Sequence, residues 1–96
     1  MTDTPADSLA SPSGGSVRVY LWAAARAAGG TAALDVPAGS LADVLAAVQA
    51  ACPPALGEVL PRCSYLVDEA TVHGDHAAVA VAPGARVDVL PPFAGG

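Results

Sequence analysis

Gly95 and Gly96 stand at the end of the sequence, behind Leu90-Pro91-Pro92-Phe93-Ala94. Glycine has no Cβ, so a diglycine takes almost any backbone conformation and lets other groups approach closely. A terminal glycine carboxylate is the least hindered acyl group a protein can present for activation. Pro91 and Pro92 cannot donate to a sheet ladder, and they hold the preceding residue extended. The expectation is a strand that leaves a folded body through a stiff elbow. It ends in a soft tip that another protein's active site can accept. Glycine ends without function are common, so the tail gains meaning only from the body that carries it.

The other residues able to do chemistry are sparse. His73 and His76 flank Gly74-Asp75, which is half a metal ligand set. No further ligands cluster with them in the sequence, so they read as solvated turn residues and no metal is expected. Cys52 and Cys63 lie far apart without CxxC spacing. They read as small buried or half-buried thiols before a disulfide or a nucleophile pair. Asp68-Glu69 reads as a turn before an acid/base dyad. No glycine-rich phosphate loop, nucleophile elbow or zinc quartet is present. The chain therefore reads as a substrate or carrier, with no active site of its own expected.

These residues need elements to position them. Residues 1–16 are polar and rich in Pro, Gly and Ser, and read as a disordered leader. Val17, Val19 and Leu21 alternate with Arg18, Tyr20 and Trp22, the pattern of a strand with an aliphatic core face. Ala23 to Gly30 reads as a turn or a short helical excursion. Thr31–Val36 predicts a second strand in a hairpin with the first. Ser40 is an N-cap with Asp43 at N3. Leu41, Val44, Leu45 and Val48 then follow helical spacing, until Pro53-Pro54. Pro53 to Pro61 reads as a loop. A strand is expected near Cys63–Val67, and Thr71-Val72 resumes extended structure. Ala77–Ala82 reads as a short extended piece. Arg86–Leu90 is the last strand, with Val87 and Val89 on one face and Arg86, Asp88 and Leu90 on the other.

The order predicts an α+β, ubiquitin-like β-grasp: a mixed sheet packed on one main helix. The division is a leader at 1–16, a body at 17–90 and a flexible tail at 91–96. If the first and last strands are neighbours, Tyr20, Trp22 and Leu90 share the sheet face away from the helix. Such a patch marks a protein-binding surface.

Composition narrows the partners. Ninety-six residues make one small domain. The net charge is −5, with four basic residues, Arg18, Arg26, Arg62 and Arg86, and no lysine. That argues against nucleic-acid binding, which needs a basic footprint. An activated tail would meet no lysine on its own chain. No long apolar run predicts a membrane span, and no secretory segment is visible. A cytoplasmic protein with reduced thiols is the expectation.

Val19-Tyr-Leu-Trp-Ala-Ala-Ala-Arg26, the helix opening at Ser40, and Val87-Asp-Val-Leu-Pro-Pro-Phe-Ala-Gly-Gly96 together resemble the MoaD/ThiS family of small sulfur carriers. The resemblance covers roughly Val17 to Gly96. The Leu-Pro-Pro-x-x-Gly-Gly ending is similar to the MoaD side, the small subunits of molybdopterin synthase. It implies that an adenylating enzyme, using ATP and Mg, activates the Gly96 carboxylate, and that a sulfur donor converts it to a thiocarboxylate. The carrier then docks on the large subunit of molybdopterin synthase, in a heterotetramer, and gives its sulfur to cyclic pyranopterin monophosphate. No cofactor is bound by the carrier itself. Gly96 would carry the reactive group and Gly95 would permit access. Trp22, Leu90 and Arg26 match family positions, the first two at the partner interface; Tyr20, Pro91, Pro92 and Phe93 complete the expected contact set.

The chain departs from the family at named places. Gly84-Ala85-Arg86-Val87 stands where the family often has an acidic Gly-Asp-Glu-Val. Asp68 stands where an Asn commonly follows the central strand. Two alternatives stay open: a sulfur carrier for cysteine, thiazole or another thio-metabolite, and a ubiquitin-like docking or conjugation module.

Overall fold

The alternating run from Val17 to Trp22 becomes β1, Ser16–Leu21, with Val17, Val19 and Leu21 buried. The computed structural model describes residues 15–92. Residues 1–14 of the expected leader, and Phe93, Gly95 and Gly96 of the tail, lie outside the described residues. Ser16, expected in the leader, already belongs to β1, opposite Pro37.

β1 pairs antiparallel with β2, Ala33–Pro37, and parallel with β7, Arg86–Leu90. On its other side β7 pairs antiparallel with β4, Ser64–Val67. β4 turns through Asp68-Glu69 into β5, Ala70–Thr71. Both turn residues have positive φ, 48° and 71°, as a two-residue hairpin of this hand requires. The sheet order is β2-β1-β7-β4-β5. The last strand is thus the central one, paired on both sides. A small ribbon, β3 (Gly39–Ser40) with β6 (Ala80–Val81), lies apart from it.

Three helices cover one face. α1 is Ala23–Gly29, α2 is Leu41–Ala51 and α3 is Pro54–Val59. α2 is the main one and opens as its sequence predicts. The Ser40 hydroxyl accepts from the Asp43 N–H at 3.1 Å. Leu41, Val44, Leu45 and Val48 are buried against Val17, Val19, Leu21, Val87 and Val89 in one aliphatic core. Each such side chain contributes about 1.5–3 kcal/mol on burial, so a core almost without aromatics still holds the sheet to the helix. The architecture is the expected α+β β-grasp.

One open local expectation is decided, for its helical alternative, and two are corrected. The segment after β1 is a true helix, ended by Gly30 at φ 75° with its N–H donating to the Arg26 carbonyl. Only glycine takes that left-handed cap without strain. Pro53 to Pro61 is not a loop. Pro54 starts α3, and a 3₁₀ turn, Leu60–Arg62, follows. Proline's missing N–H is harmless in a first helical turn, and its fixed φ suits it; Leu56 and Leu60 then anchor the segment in the core. Within Ala77–Ala82 only Ala80 and Val81 are extended. His76–Ala78 is a 3₁₀ turn whose Ala77 N–H is accepted by the Asp75 carboxylate at 3.0 Å. Among the described residues, no helix is long and apolar enough to cross a membrane.

Candidate functional site

Parallel pairing sets Tyr20 beside Asp88 and Arg18 beside Arg86. Side chains alternate across a strand, so these residues point away from the helices while Val19, Leu21, Val87 and Val89 point into the core. Trp22 follows directly. Its N–H continues the ladder to the Val89 carbonyl at 3.2 Å, and its carbonyl accepts from Ala25 and Arg26 at 2.9 and 3.3 Å. The next residue, Ala23, sits at φ 49°. A residue with a Cβ is strained there, and such strain concentrates at functional sites. The junction from β1 to α1 is therefore a tight, held corner with Trp22 at its apex.

On this face four side chains close a ring. The Trp22 Nε1–H donates to Asp88 Oδ1 at 2.9 Å. Arg86 forks onto the same carboxylate, Nε to Oδ2 and a terminal nitrogen to Oδ1, both at 3.0 Å. The Arg86 guanidinium lies over the Tyr20 ring, 4.2 Å from its centre, a favourable cation–π geometry. Tyr20 stacks in turn with Trp22, ring centres 6.5 Å apart and 27° between planes.

Asp88 is 4% exposed and the only buried charged or polar residue described. Burial alone would push its carboxyl up. The hydrogen bonds from Arg86 and Trp22, with the Arg86 charge, outweigh this and hold it below the usual carboxylate range. Trp22, 43% exposed, is the one exposed large hydrophobic side chain among the described residues. Leu90 is half-buried and lies opposite Ser64, one ladder position beyond Val89.

The structure brings Tyr20, Trp22 and Leu90 onto one face. Arg26 is exposed, one turn into α1, and is not part of the ring. Pro91 is buried and Pro92 exposed. Phe93, Gly95 and Gly96 lie outside the described residues. Sequence reasoning put Arg86 and Asp88 on the outer face without giving either a role. The signal was two opposite charges spaced two apart on a strand, beside a strand carrying Tyr and Trp at the same spacing.

The other candidates gather no comparable machinery. Cys52 and Cys63 are free thiols, both pushed up by burial. Cys63 donates to the Val59 carbonyl at 3.4 Å. The Tyr65 hydroxyl donates to the Leu60 carbonyl at 2.6 Å, and burial, then Cys63, pushes it up to about 12. His73 is exposed, whereas His76 is half-buried with its ring edge-on to Tyr65 at 5.0 Å. Gln49, Cys63, Tyr65 and His76 line an open groove of about 500 Å³ on the helix side. Its thiol and phenol stay protonated at neutral pH, so it offers no ready nucleophile. Among the described residues no three His, Cys, Asp or Glu side chains are grouped to hold a metal ion. Asp68 closes the β4–β5 turn, its carboxylate accepting from the Arg86 N–H at 2.9 Å.

A family model described as the ThiS family matches residues 19–96. No curated protein matches the sequence. Small archaeal modifier protein 1 from Methanosarcina acetivorans is similar in structure, with TM-score 0.74 and 24% identity over 85% of this chain and 97% of that one. The HVO 2177 protein of Haloferax volcanii gives TM-score 0.71 and 26% identity over 96% and 98%. A complex of subunits 1 and 2 of molybdopterin-converting factor from Helicobacter pylori contains a chain similar at TM-score 0.65 and 20% identity, over 84% and 99%.

Proposed function

The chain belongs to the ThiS family, one of small sulfur carriers and ubiquitin-like modifiers, and on that premise we propose that it carries sulfur on Gly96 for molybdopterin biosynthesis. The observation that carries this reading is the family match running through Gly96. The fold supports it: the strand leading to the tail is the central one of the sheet, so the reactive end hangs from the most firmly held element. The outward ring of Tyr20, Trp22, Arg86 and Asp88, with Leu90, is the surface on which an adenylating enzyme and then a large synthase subunit dock. The Helicobacter neighbour, solved as a complex of subunits 1 and 2, supports a large subunit as partner; the heterotetramer is part of the proposal.

In the proposed cycle the Gly96 carboxylate attacks the α-phosphorus of ATP in the adenylating enzyme, and pyrophosphate leaves. Sulfur at the sulfide level, from a donor, attacks the acyl carbon and AMP leaves. The thiocarboxylate sulfur is a soft nucleophile. It attacks a carbon of cyclic pyranopterin monophosphate in the large subunit, the C–O bond from that carbon to the cyclic phosphate breaks as the phosphate ring opens, and water then cleaves the acyl–sulfur bond to return the carboxylate. Gly95 and Gly96 have no side chain to obstruct a narrow channel. The body supplies no competing lysine, and its described thiols are kept protonated by burial. The charged tail is thereby spared attack by neighbouring copies.

Intact-mass measurement tests the reading. Incubation with ATP, a sulfide source and the source organism's adenylating enzyme should replace one oxygen by sulfur. Deleting Gly96, or adding one residue after it, should abolish the change and leave folding intact. Transfer to cyclic pyranopterin monophosphate with the large subunit then separates this pathway from cysteine or thiazole formation.

A second reading has its own support. The Methanosarcina neighbour is named a modifier, which fits a ubiquitin-like module joined through Gly96 to lysines of other proteins. It predicts the ten-residue remnant Val87–Gly96 on target lysines after tryptic digestion, because Arg86 is the last tryptic site, and no mass gain from sulfur.

A further inference from the structure

We propose that Asp88 is the positioning residue of the docking face, setting the poses of Trp22 and Arg86 that a partner meets. The inference rests on the reading that this face docks the adenylating enzyme. Three observations carry it. Asp88 is buried within a face whose other ring members are half-buried or exposed. Both of its oxygens are taken, Oδ1 by Trp22 and Arg86 and Oδ2 by Arg86. The two groups it holds are also joined through Tyr20, so neither indole nor guanidinium can move without breaking a second contact.

The consequences for binding follow from these contacts. An indole on a strand-to-helix corner has several rotamers open to it, and fixing one before binding removes that entropic cost from association. Arg86 is half-exposed along its side chain. Forked onto Asp88 and laid on Tyr20, it presents a flat, charge-compensated surface continuous with the rings. Without the carboxylate, the same place would show a free cation and an indole with no anchor. Asp88 thus acts on a partner through Trp22 and Arg86, and touches neither the partner nor the reacting tail.

The test uses the full chain and the source organism's adenylating enzyme, following pyrophosphate release as the carrier is varied. Asp88→Leu, similar in size and without an acceptor, should raise the carrier's KM about tenfold, with kcat within twofold of wild type. That is the scale of leaving two contact side chains to be ordered at the moment of binding. Asp88→Asn keeps one oxygen for the indole and should recover part of that loss, to about threefold above wild type. Trp22→Phe keeps an aromatic ring while losing the N–H donor and part of the indole's area. Combined with Asp88→Leu it should cost less than the product of the single effects. Trp22 is the chain's one tryptophan, so its emission reports the pose directly: Asp88→Leu should raise acrylamide quenching about twofold.

Equal KM for wild type and Asp88→Leu would overturn the inference and leave the carrier reading standing. So would strictly multiplicative effects of Asp88→Leu and Trp22→Phe. An adenylating enzyme that rejects the wild-type chain would instead overturn the carrier reading, and the inference with it.

Discussion

β1 and β7 each have two faces, and the two are built on opposite principles. Inward, Val17, Val19, Leu21, Val87 and Val89 are at most 1% exposed and wholly aliphatic. They hold by area removed from water, and many similar sequences could replace them. Outward, Tyr20, Trp22, Arg86 and Asp88 hold one another by directed contacts: a fork, an N–H donor, a stacked pair and a cation over a ring. The comparison separates two tasks within a single pair of strands. One face keeps the domain folded; the other holds four side chains in one shape, on the surface proposed above to meet a partner.

Substitutions can break that division, beginning with the largest expected effect on stability. Leu21→Ala on the inner face should cost about 3 kcal/mol, as buried leucine truncations do, read as a lower urea midpoint at unchanged slope. Gly29→Ala should cost about 1–3 kcal/mol through overpacking. An added Cβ would stand 2.6 Å from the Leu21 methyl, in a core with little room to give. Trp22→Ala on the outer face should cost only about 1 kcal/mol of stability, yet weaken docking by about tenfold or more, as central aromatic anchors do. Arg18→Ala should change stability by less than about 0.5 kcal/mol, because the 2.7 Å pair with Asp35 is half-exposed on both sides.

Acid sharpens the same contrast. Asp88 has its folded-state value lowered, burial working against it and the Arg86 and Trp22 bonds prevailing. Its contribution is complete above the ordinary carboxylate range and is lost as pH falls below it. The outer ring should therefore persist through mild acid and loosen only below the ordinary carboxylate range, before the aliphatic core does. Emission of Trp22 should change at a higher pH than the far-UV circular dichroism signal. Coincident transitions would mean that the ring has no independence from the core.

Much of the inner face was readable because hydrophobic periodicity reports it directly. The alternation through Leu21, the Ser40 cap and the spacing of Leu41, Val44, Leu45 and Val48 all led to the observed elements. The segment after Pro53-Pro54 was misread as a loop because a proline pair stops one helix as readily as its second member starts another. Asp88 was harder to read. A charged residue on an alternating strand predicts an exposed side chain. Its burial depends on Arg86 and Trp22 folding over it, and on a parallel register between strands more than sixty positions apart. No local pattern encodes that register. That Tyr20 and Trp22 share a face was legible from their spacing; that Leu90 joins them was conditional on the first and last strands being neighbours, a pairing the structure shows.

The parallel pairing of β1 with β7 also decides how the molecule bears load. Ser16 and Leu90 lie at opposite ends of two strands that run the same way. Tension applied along the tail, against a body held at its first strand, acts as shear. The ladder between Arg18 and Trp22, bounded by the bonds to Ala85 and Val89, must then give way as a unit; it cannot be unzipped one bond at a time. A partner can draw on the tail without peeling the sheet apart.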